Sequence, residues 1–314
     1  MKKQRLFTGL QPSGNLHIGN YFGVLQPFLN LYPKYDSFLM VADYHSLTSS
    51  HDSQSLRENT LNIVRDYLAV GVDPEEVTIF RQSDNPDHTE LAWILNCMVT
   101  VPFLQQGHAY KDKVAKGMEP NAGLFTYPML QAADIALYDT DVVPVGEDQR
   151  QHLEYTREAV SKFNRTYGEI IKKPETIIMG AVGVVPGTDG QKMSKSYKNT
   201  VPLFGSKEEI EESVMRIITD SEGDIPETVL ALHKLFKPEG ELTDLYESNK
   251  GRYGDLKKAL AHDINSFIEP MREKKKSITD ADIVDVLEKG AQKAKEVSSQ
   301  TMSQVRSAIG LNLI

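Results

Sequence analysis

One cysteine, Cys97, in 314 residues excludes an internal disulfide and any all-cysteine metal site, and thiol usage this sparse suits a reducing cytoplasm. Also absent is any apolar run near the roughly 18 residues that cross a bilayer, so no membrane association is expected. The basic opening "MKKQRLFTGLQPSG" is not followed by the apolar stretch of a signal peptide. A cytoplasmic location is the resulting expectation. Eight histidines are scattered without zincin or zinc-finger spacing, which leaves no protein-ligated metal to expect. Internal repeats, low-complexity tracts and long linkers are missing too. With 44 acidic against 35 basic residues, a net charge of −9 argues against a non-specific coat for nucleic acid, while a local basic patch on an acidic body stays compatible with RNA.

What is present is 40% hydrophobic residues in a length that suits one large domain or two ordinary ones. "RLFTGL" (5–10), "SFLMVADYH" (37–45) and "VTIFRQS" (77–83) read as buried strands. Between the last two, Leu56, Ile63, Val64, Tyr67 and Leu68 fall near helical spacing, stopped by Gly71 and Pro74, which makes a strand–helix–strand crossover. Helices are predicted at 88–99, 103–116 and 122–138, then a strand at "VVPVG" (142–146) and a helix through "EDQRQHLEYTREAVSKFN". Such alternation predicts an α/β fold, a doubly wound, Rossmann-like parallel sheet with helices on both faces. Beyond about residue 190 helix signals continue almost without strand signals, so residues 1–190 and 191–314 are expected to be an α/β domain and an all-helical one. Thr279 is a candidate cap for a helical tail that could pack back on the first domain.

"PSGNLHIGNYFG" (12–23) joins the first strand to a helix, the place where open α/β sheets bind phosphate through converging backbone N–H groups. It matches neither G-x-G-x-x-G nor G-x-x-x-x-G-K-[ST]. Either His17 donates to a phosphate oxygen and Gly19 lets a flat ring approach, or His17 is a first-turn residue bonded to backbone and Gly19 a packing glycine. "GQKMSKS" (190–196) sets Lys192 and Lys195 about two serines, after glycines 187 and 190 that would make the segment mobile. Two ammonium groups there could follow charge onto a leaving pyrophosphate, whereas a lone pair of lysines is ordinarily a solvated surface feature.

"HIGN" and "KMSKS" resemble the two signatures of the class I aminoacyl-tRNA synthetases, and "VADYHSLT", "YPMLQAADIALYDTDVVPVGEDQRQHLE" and "GTDGQKMSKSYKNT" resemble the tryptophan branch of that family over essentially the whole chain. The resemblance implies ATP-dependent activation of L-tryptophan to an adenylate and transfer to the 3′-terminal adenosine of tRNA(Trp), with Mg2+ accompanying ATP. It implies that Gln11, Pro12, Ser13 and Gly19 lie against the nucleotide, that His17 and Asn20 reach phosphate, and that Gly146, Glu147 and Asp148 lie at the ribose. Val185 and Met193 would sit near adenine, and Lys192, Ser194, Lys195 and Ser196 would grip the phosphates. Asn20 stands where the general signature ends in histidine, which keeps a donor and removes a charge.

By the same resemblance Asp134 accepts the indole N–H, with Phe7, His45, Tyr127, Gln131, Val143, Val145 and Gln149 around the amino acid. A carboxylate amid apolar neighbours needs a donor, which agrees with that role. Phe7 and the valines also fit plain strand core, and Gln131 replaces a methionine common in related sequences. A tyrosyl enzyme, a nucleotidyltransferase activating another small acid, and an idle amino-acid-binding paralogue are the rival readings. Family members imply a homodimer. Arg252, Lys257, Lys258, Arg272 and "KKK" (274–276) are the basic residues available to RNA, with no individual assigned to the anticodon.

Overall fold

The computed structural model describes residues 3–49, 51–107, 110, 117, 121–146, 150–178, 184–219 and 224–312. Among these, five strands form one parallel sheet in the order β3-β2-β1-β4-β5, with β1 Arg5–Leu10, β2 Asp36–Val41, β3 Val77–Arg81, β4 Val142–Val145 and β5 Glu175–Ile178. The chain moves outward from β1 to β3, then returns to the other side of β1 for β4. The loops after β1 and β4 therefore flank the switch point where open sheets leave a crevice.

Strand residues bury both faces, as a covered parallel sheet requires. Leu6, Leu39, Val41 and Ile79 enter one apolar cluster, whereas Phe7, Phe38, Met40 and Phe80 enter the other. The longer helices are α1 Ser53–Val70, α2 Asp87–Asn96, α3 Ala122–Ala136, α4 Arg150–Tyr167, α5 Lys207–Met215, α6 Glu227–His233, α7 Glu239–Ser248, α8 Tyr253–Ser277 and α9 Asp280–Ala308. The first cluster runs from β1–β3 through α1 into Ile210, Leu256, Leu260 and Ile264 of α5 and α8. The second lies under α2, α3 and α4 and takes in Ala294, Met302 and Val305 of α9.

Local signals set most helix ends. Asp52 caps α1, which Gly71 stops at φ 109°. Ser206 with Glu209 and Thr279 with Asp282 form reciprocal caps at α5 and α9, so the expected Thr279 cap is present. Three expectations need correction. The strand foreseen at 37–45 ends at Val41, and Asp43–Ser46 is helical because Asp43 bonds the N–H groups of Tyr44 and Ser83. β5 was not anticipated. The helix foreseen at 103–116 is Val101–Leu104, and most of its remaining span lies outside the described residues.

The last helix closes the edge of the sheet. Its Gly290 lies so close to β3 that an added Cβ would fall 1.7 Å from the Ile79 carbonyl oxygen. A covered edge cannot pair with another strand. Among the described residues no helix is long and apolar enough to cross a membrane. Gly290→Ala is predicted to force α9 off β3 and cost about 3 kcal/mol, read as a fall in Tm of several degrees. Gly240→Ala, where a Cβ meets nothing within 4 Å, is the control and should leave Tm unchanged or slightly raised.

Candidate active site

β1 delivers its C-terminal end into Gln11, Pro12 and Ser13, of which Pro12 is buried and the other two are exposed. The helical run Ile18–Asn20, Tyr21–Leu25 and Gln26–Leu31 follows, its middle segment π-wound, with the Gln26 N–H bonded to the Tyr21 carbonyl. His17 caps that run. Its Nδ1 accepts from the Asn20 N–H (3.2 Å), and Asn20 Oδ1 accepts from the His17 N–H (3.1 Å). A ring that accepts at Nδ1 carries its proton on Nε2 when neutral. Burial, and then the nearby Lys195 ammonium, lower the His17 pKa to about 4. The cap reading of His17 is therefore observed at Nδ1, and it leaves Nε2–H as an uncharged donor. Asn20 likewise spends its carbonyl on the cap and keeps its amide hydrogens.

The lysine segment folds against this loop. Ile18 N–H bonds Val201 O at 3.0 Å and Leu203 N–H bonds Leu16 O at 2.9 Å, stitching residues 16–18 to 201–203. Val185 and Met193 are buried, and Met193 N–H bonds Val185 O at 2.9 Å. Lys195 Nζ donates to the carbonyls of Ser13 (2.8 Å) and Gly14 (3.2 Å). Burial lowers the Lys195 pKa, against the opposing pull of Asp66. A crevice of about 590 Å³ lies here, lined by Ser13, Gly14, His17, Lys195, Glu212 and Arg216. Lys192 and Ser196 are exposed, and Ser194 Oγ lies 3.4 Å from Ser196 Oγ. Gly19 is also a close approach between the two segments, since a Cβ there would stand 2.9 Å from His17 Nδ1 and 3.2 Å from Met193 Cβ.

Asn199 is the hub of the lysine segment and was not singled out from sequence. Its Oδ1 accepts from the Ser194 N–H (2.7 Å), and its Nδ2 donates to Asp189 (2.7 Å) and to the Lys192 carbonyl (3.1 Å). Gly187 is also a close approach: a Cβ there would come within 2.3 Å of Asn199 Nδ2 and 2.8 Å of its carbonyl oxygen. The asparagine three places after the last motif serine was the available signal.

On α3, Asp134 is 1% exposed and surrounded by donors. His45 Nε2 reaches Oδ2 at 2.8 Å, while Gln82 Nε2 and His88 Nδ1 reach Oδ1 at 2.8 and 2.7 Å. Burial pushes this carboxyl up, but the hydrogen bonds from His45 and His88 outweigh it and hold the pKa down to about 2. A carboxylate has about four lone-pair positions, and among the described residues three are taken. Gln82 and His88 were missed; a polar pair closing β3 and opening α2 was their only trace. The Tyr127 hydroxyl lies 2.6 Å from His152 Nε2, its ring edge-on to His45, and burial followed by Tyr155 pushes its pKa up to about 12. Phe7 and Val143 are strand core, Phe7 stacked on Tyr138 at 5.5 Å, while Val145, Gln131 and Gly146 are half-buried near the same end of the sheet. Glu147, Asp148 and Gln149 lie outside the described residues.

The depressed His17 pKa has a signed consequence for stability. Between pH 6.5 and 4 the unfolded chain binds a proton that the folded chain does not, so this residue makes stability fall as the pH drops through that window. His17→Asn keeps a cap acceptor and removes the titration. Its unfolding free energy should fall less than the wild type's between pH 7 and 4.5, by about 1–2 kcal/mol after solvent screening; parallel curves would contradict a neutral His17.

Known proteins resemble this chain over nearly its full length. The model of the family described as tRNA synthetases class I (W and Y) matches residues 1–282. Tryptophan–tRNA ligase of Fusobacterium nucleatum subsp. nucleatum is 48% identical over 319 aligned positions, covering 98% of each chain, and that of Rhodopirellula baltica is 41% identical, covering 98% of this chain and 99% of its own. Campylobacter jejuni tryptophanyl-tRNA synthetase, solved with ADP and tryptophan, superposes with a TM-score of 0.92 at 38% identity, covering 98% of this chain and all of that one. Tyrosyl-tRNA synthetase of Archaeoglobus fulgidus, at 22% identity and a TM-score of 0.68, shares the fold. With two phosphate-competent loops joined at one crevice and relatives alike from end to end, the chain belongs to the class I tRNA synthetases of the tryptophan and tyrosine family.

Proposed function

We propose that this protein is a tryptophan–tRNA ligase, an enzyme that activates L-tryptophan with ATP and passes it to the 3′-terminal adenosine of tRNA(Trp). The observation that supports this reading is the reach of Lys195 Nζ onto the Ser13 and Gly14 carbonyls, which joins the lysine segment to the loop after β1 along one crevice. In the first step the tryptophan carboxylate attacks the α-phosphorus of ATP, forming the adenylate as the bond to the leaving pyrophosphate breaks. A carboxylate is nucleophilic at neutral pH, so no general base is needed, and alignment with charge stabilisation is the whole task. His17 Nε2–H and the Asn20 amide donate from the helix start. Lys195 exchanges its two backbone carbonyls for phosphate oxygens, with Lys192 beside it, while Met193 and Gly19 shape the adenine site.

Asp134 receives the indole N–H at its fourth lone-pair position. An analogue lacking that donor leaves a buried acceptor unmatched, which discriminates more strongly than apolar packing. Among the described residues no group of His, Cys, Asp or Glu could hold a metal ion. Mg2+ would be carried by the polyphosphate of ATP, its usual partner.

Residues 1–190 form the catalytic domain in this reading, and 191–314 the lysine segment and a helical domain for the anticodon. The basic residues open to RNA are fewer than the sequence offers. Lys257 bonds the carbonyls of Met215 and Ile217, Arg272 bonds Gly205 O and Asn265, and Lys275 pairs with the buried Asp66. Arg252, Lys258, Lys274 and Lys276 remain on the surface. A homodimer is supported by Trp93 and Val101, large apolar side chains left 71% and 59% exposed around α2.

Pyrophosphate exchange with each of the twenty amino acids, followed by charging of a tRNA pool, tests the assignment. Tryptophan alone should support both. Exchange with tyrosine would move the chain to the sister activity, and exchange without charging would indicate an acid-activating enzyme of another kind. Lys195→Ala should slow tryptophan-dependent exchange by ~10²-fold while tryptophan affinity changes less than twofold. Turnover within a few-fold of wild type would remove Lys195 from the chemistry.

A further inference from the structure

The reaction described above does not use the buried polar residues behind Asp134. They form an unbroken path to the last helix, and each is at most 1% exposed: His88, Tyr138, Asn85, Ser298 and Asp87. The Tyr138 hydroxyl lies 2.7 Å from His88 Nε2. Asn85 Nδ2 reaches the Tyr138 hydroxyl at 3.1 Å and Ser298 Oγ at 3.0 Å. Ser298 Oγ lies 2.7 Å from Asp87 Oδ2, and Asp87 is paired with Lys295 (2.8 Å) and Arg306 (3.2 Å). Ser298, Lys295 and Arg306 all belong to α9, on the far side of the sheet edge from the crevice.

The direction of every hydrogen along this path is determined. Asp87, held by two cations, is acceptor-only, so the single Ser298 hydrogen points to it at 2.7 Å rather than to the Lys295 carbonyl at 3.2 Å, which would leave two acceptors face to face, and Ser298 Oγ must accept from Asn85. Asn85 Oδ1 is taken by the Asp87 N–H (3.3 Å) and Lys295 Nζ (3.4 Å), which fixes the amide with its NH2 toward Ser298 and Tyr138. Tyr138 accepts that amide hydrogen and has one of its own, which goes to His88 Nε2. The His88 proton is then on Nδ1, facing Asp134 Oδ1. Reversing any one link would leave two donors or two acceptors face to face in a dry site, which is costly.

We propose that the last helix sets amino-acid specificity at a distance: through Ser298, Asn85 and Tyr138 it holds His88 as an Nδ1–H donor, and His88 is the positioning residue that aims the open lone pair of Asp134 at the substrate. The inference rests on the assignment of the indole N–H to Asp134. It also accounts for α9 approaching β3 closely enough to need Gly290, because only a helix seated that deeply brings Ser298 to Asn85. With His88 misoriented, Asp134 would still be ionised through His45 and Gln82, but less well aimed. Apolar contacts to the substrate would be unchanged.

The test compares L-tryptophan with 3-(3-benzothienyl)alanine, which keeps the ring shape and lacks the N–H, in pyrophosphate exchange by wild type, Tyr138→Phe and Ser298→Ala. Wild type should prefer tryptophan strongly. Tyr138→Phe should reduce the ratio of kcat/KM values about tenfold, through a raised KM for tryptophan, with KM for ATP and all values for the analogue within twofold. Ser298→Ala, far from the crevice and small in volume, should reduce the ratio about threefold. Nitrogen NMR of 15N-histidine-labelled protein, with His88 identified by His88→Asn, should show a ring protonated on Nδ1 in the wild type. A wild-type enzyme indifferent to the N–H would overturn the Asp134 assignment itself. A discriminating wild type whose ratio both variants keep, or a His88 protonated on Nε2, would overturn the role of the helix while leaving Asp134 in place. Losses equal for tryptophan and the analogue would reduce the path to simple structural support and likewise overturn it.

Discussion

An ionised carboxylate almost completely removed from water is the constraint around which the amino-acid side of this molecule is arranged. Asp134 would not stay charged in its apolar surroundings unaided, since burial alone favours the neutral acid. Two imidazoles and a carboxamide, brought by three separate segments, reverse that preference. Each comes from the carboxyl end of a strand or from the turn beyond it: His45 after β2, Gln82 immediately after β3, and His88 at the start of α2. The order β3-β2-β1 is thus part of the site, because it lines up the strand ends that carry the donors.

In the proposed reaction the nucleotide side answers to a different demand, that of charge which develops and leaves. Here the groups are held in reserve. His17 divides its two nitrogens between a helix cap and an outward donor, and its neutrality is enforced by burial and by the lysine across the crevice. Lys195 rests on backbone carbonyls that phosphate oxygens can outcompete. Asn199 keeps the lysine segment in shape without occupying either ammonium. The two sides meet through β1, which carries Phe7 in the core beside Tyr138 and leads directly into Gln11.

Sequence reasoning reached the parts that are local. The loop at 12–23, the lysine segment, the Thr279 cap and the β2–α1–β3 crossover all lie within windows of a few tens of residues, and there residue type and spacing carry the geometry. Asp134 stood out because a charge on an apolar helix face demands an explanation. Its partners did not, since Gln82 and His88 are 52 and 46 residues away and become neighbours only when α2 packs on α3. β5 escaped because four residues after Lys173 and Pro174 make a weak strand signal, and parallel pairing to β4 supplies the rest. Which of the basic residues of α8 stay open was not legible for the same reason: whether a lysine is solvated or paired inside depends on what the chain places opposite it, as Asp66 opposite Lys275 shows.

The charge on Asp134 is the claim on which substrate recognition depends, and calorimetric titration of L-tryptophan into wild type and Asp134→Asn tests it most directly. The replacement keeps the size and removes the charge, so the account predicts a Kd weakened by ~10–100-fold, the range of a hydrogen bond to an ionised acceptor. A folded Asp134→Asn protein that binds tryptophan within twofold of wild type would contradict it.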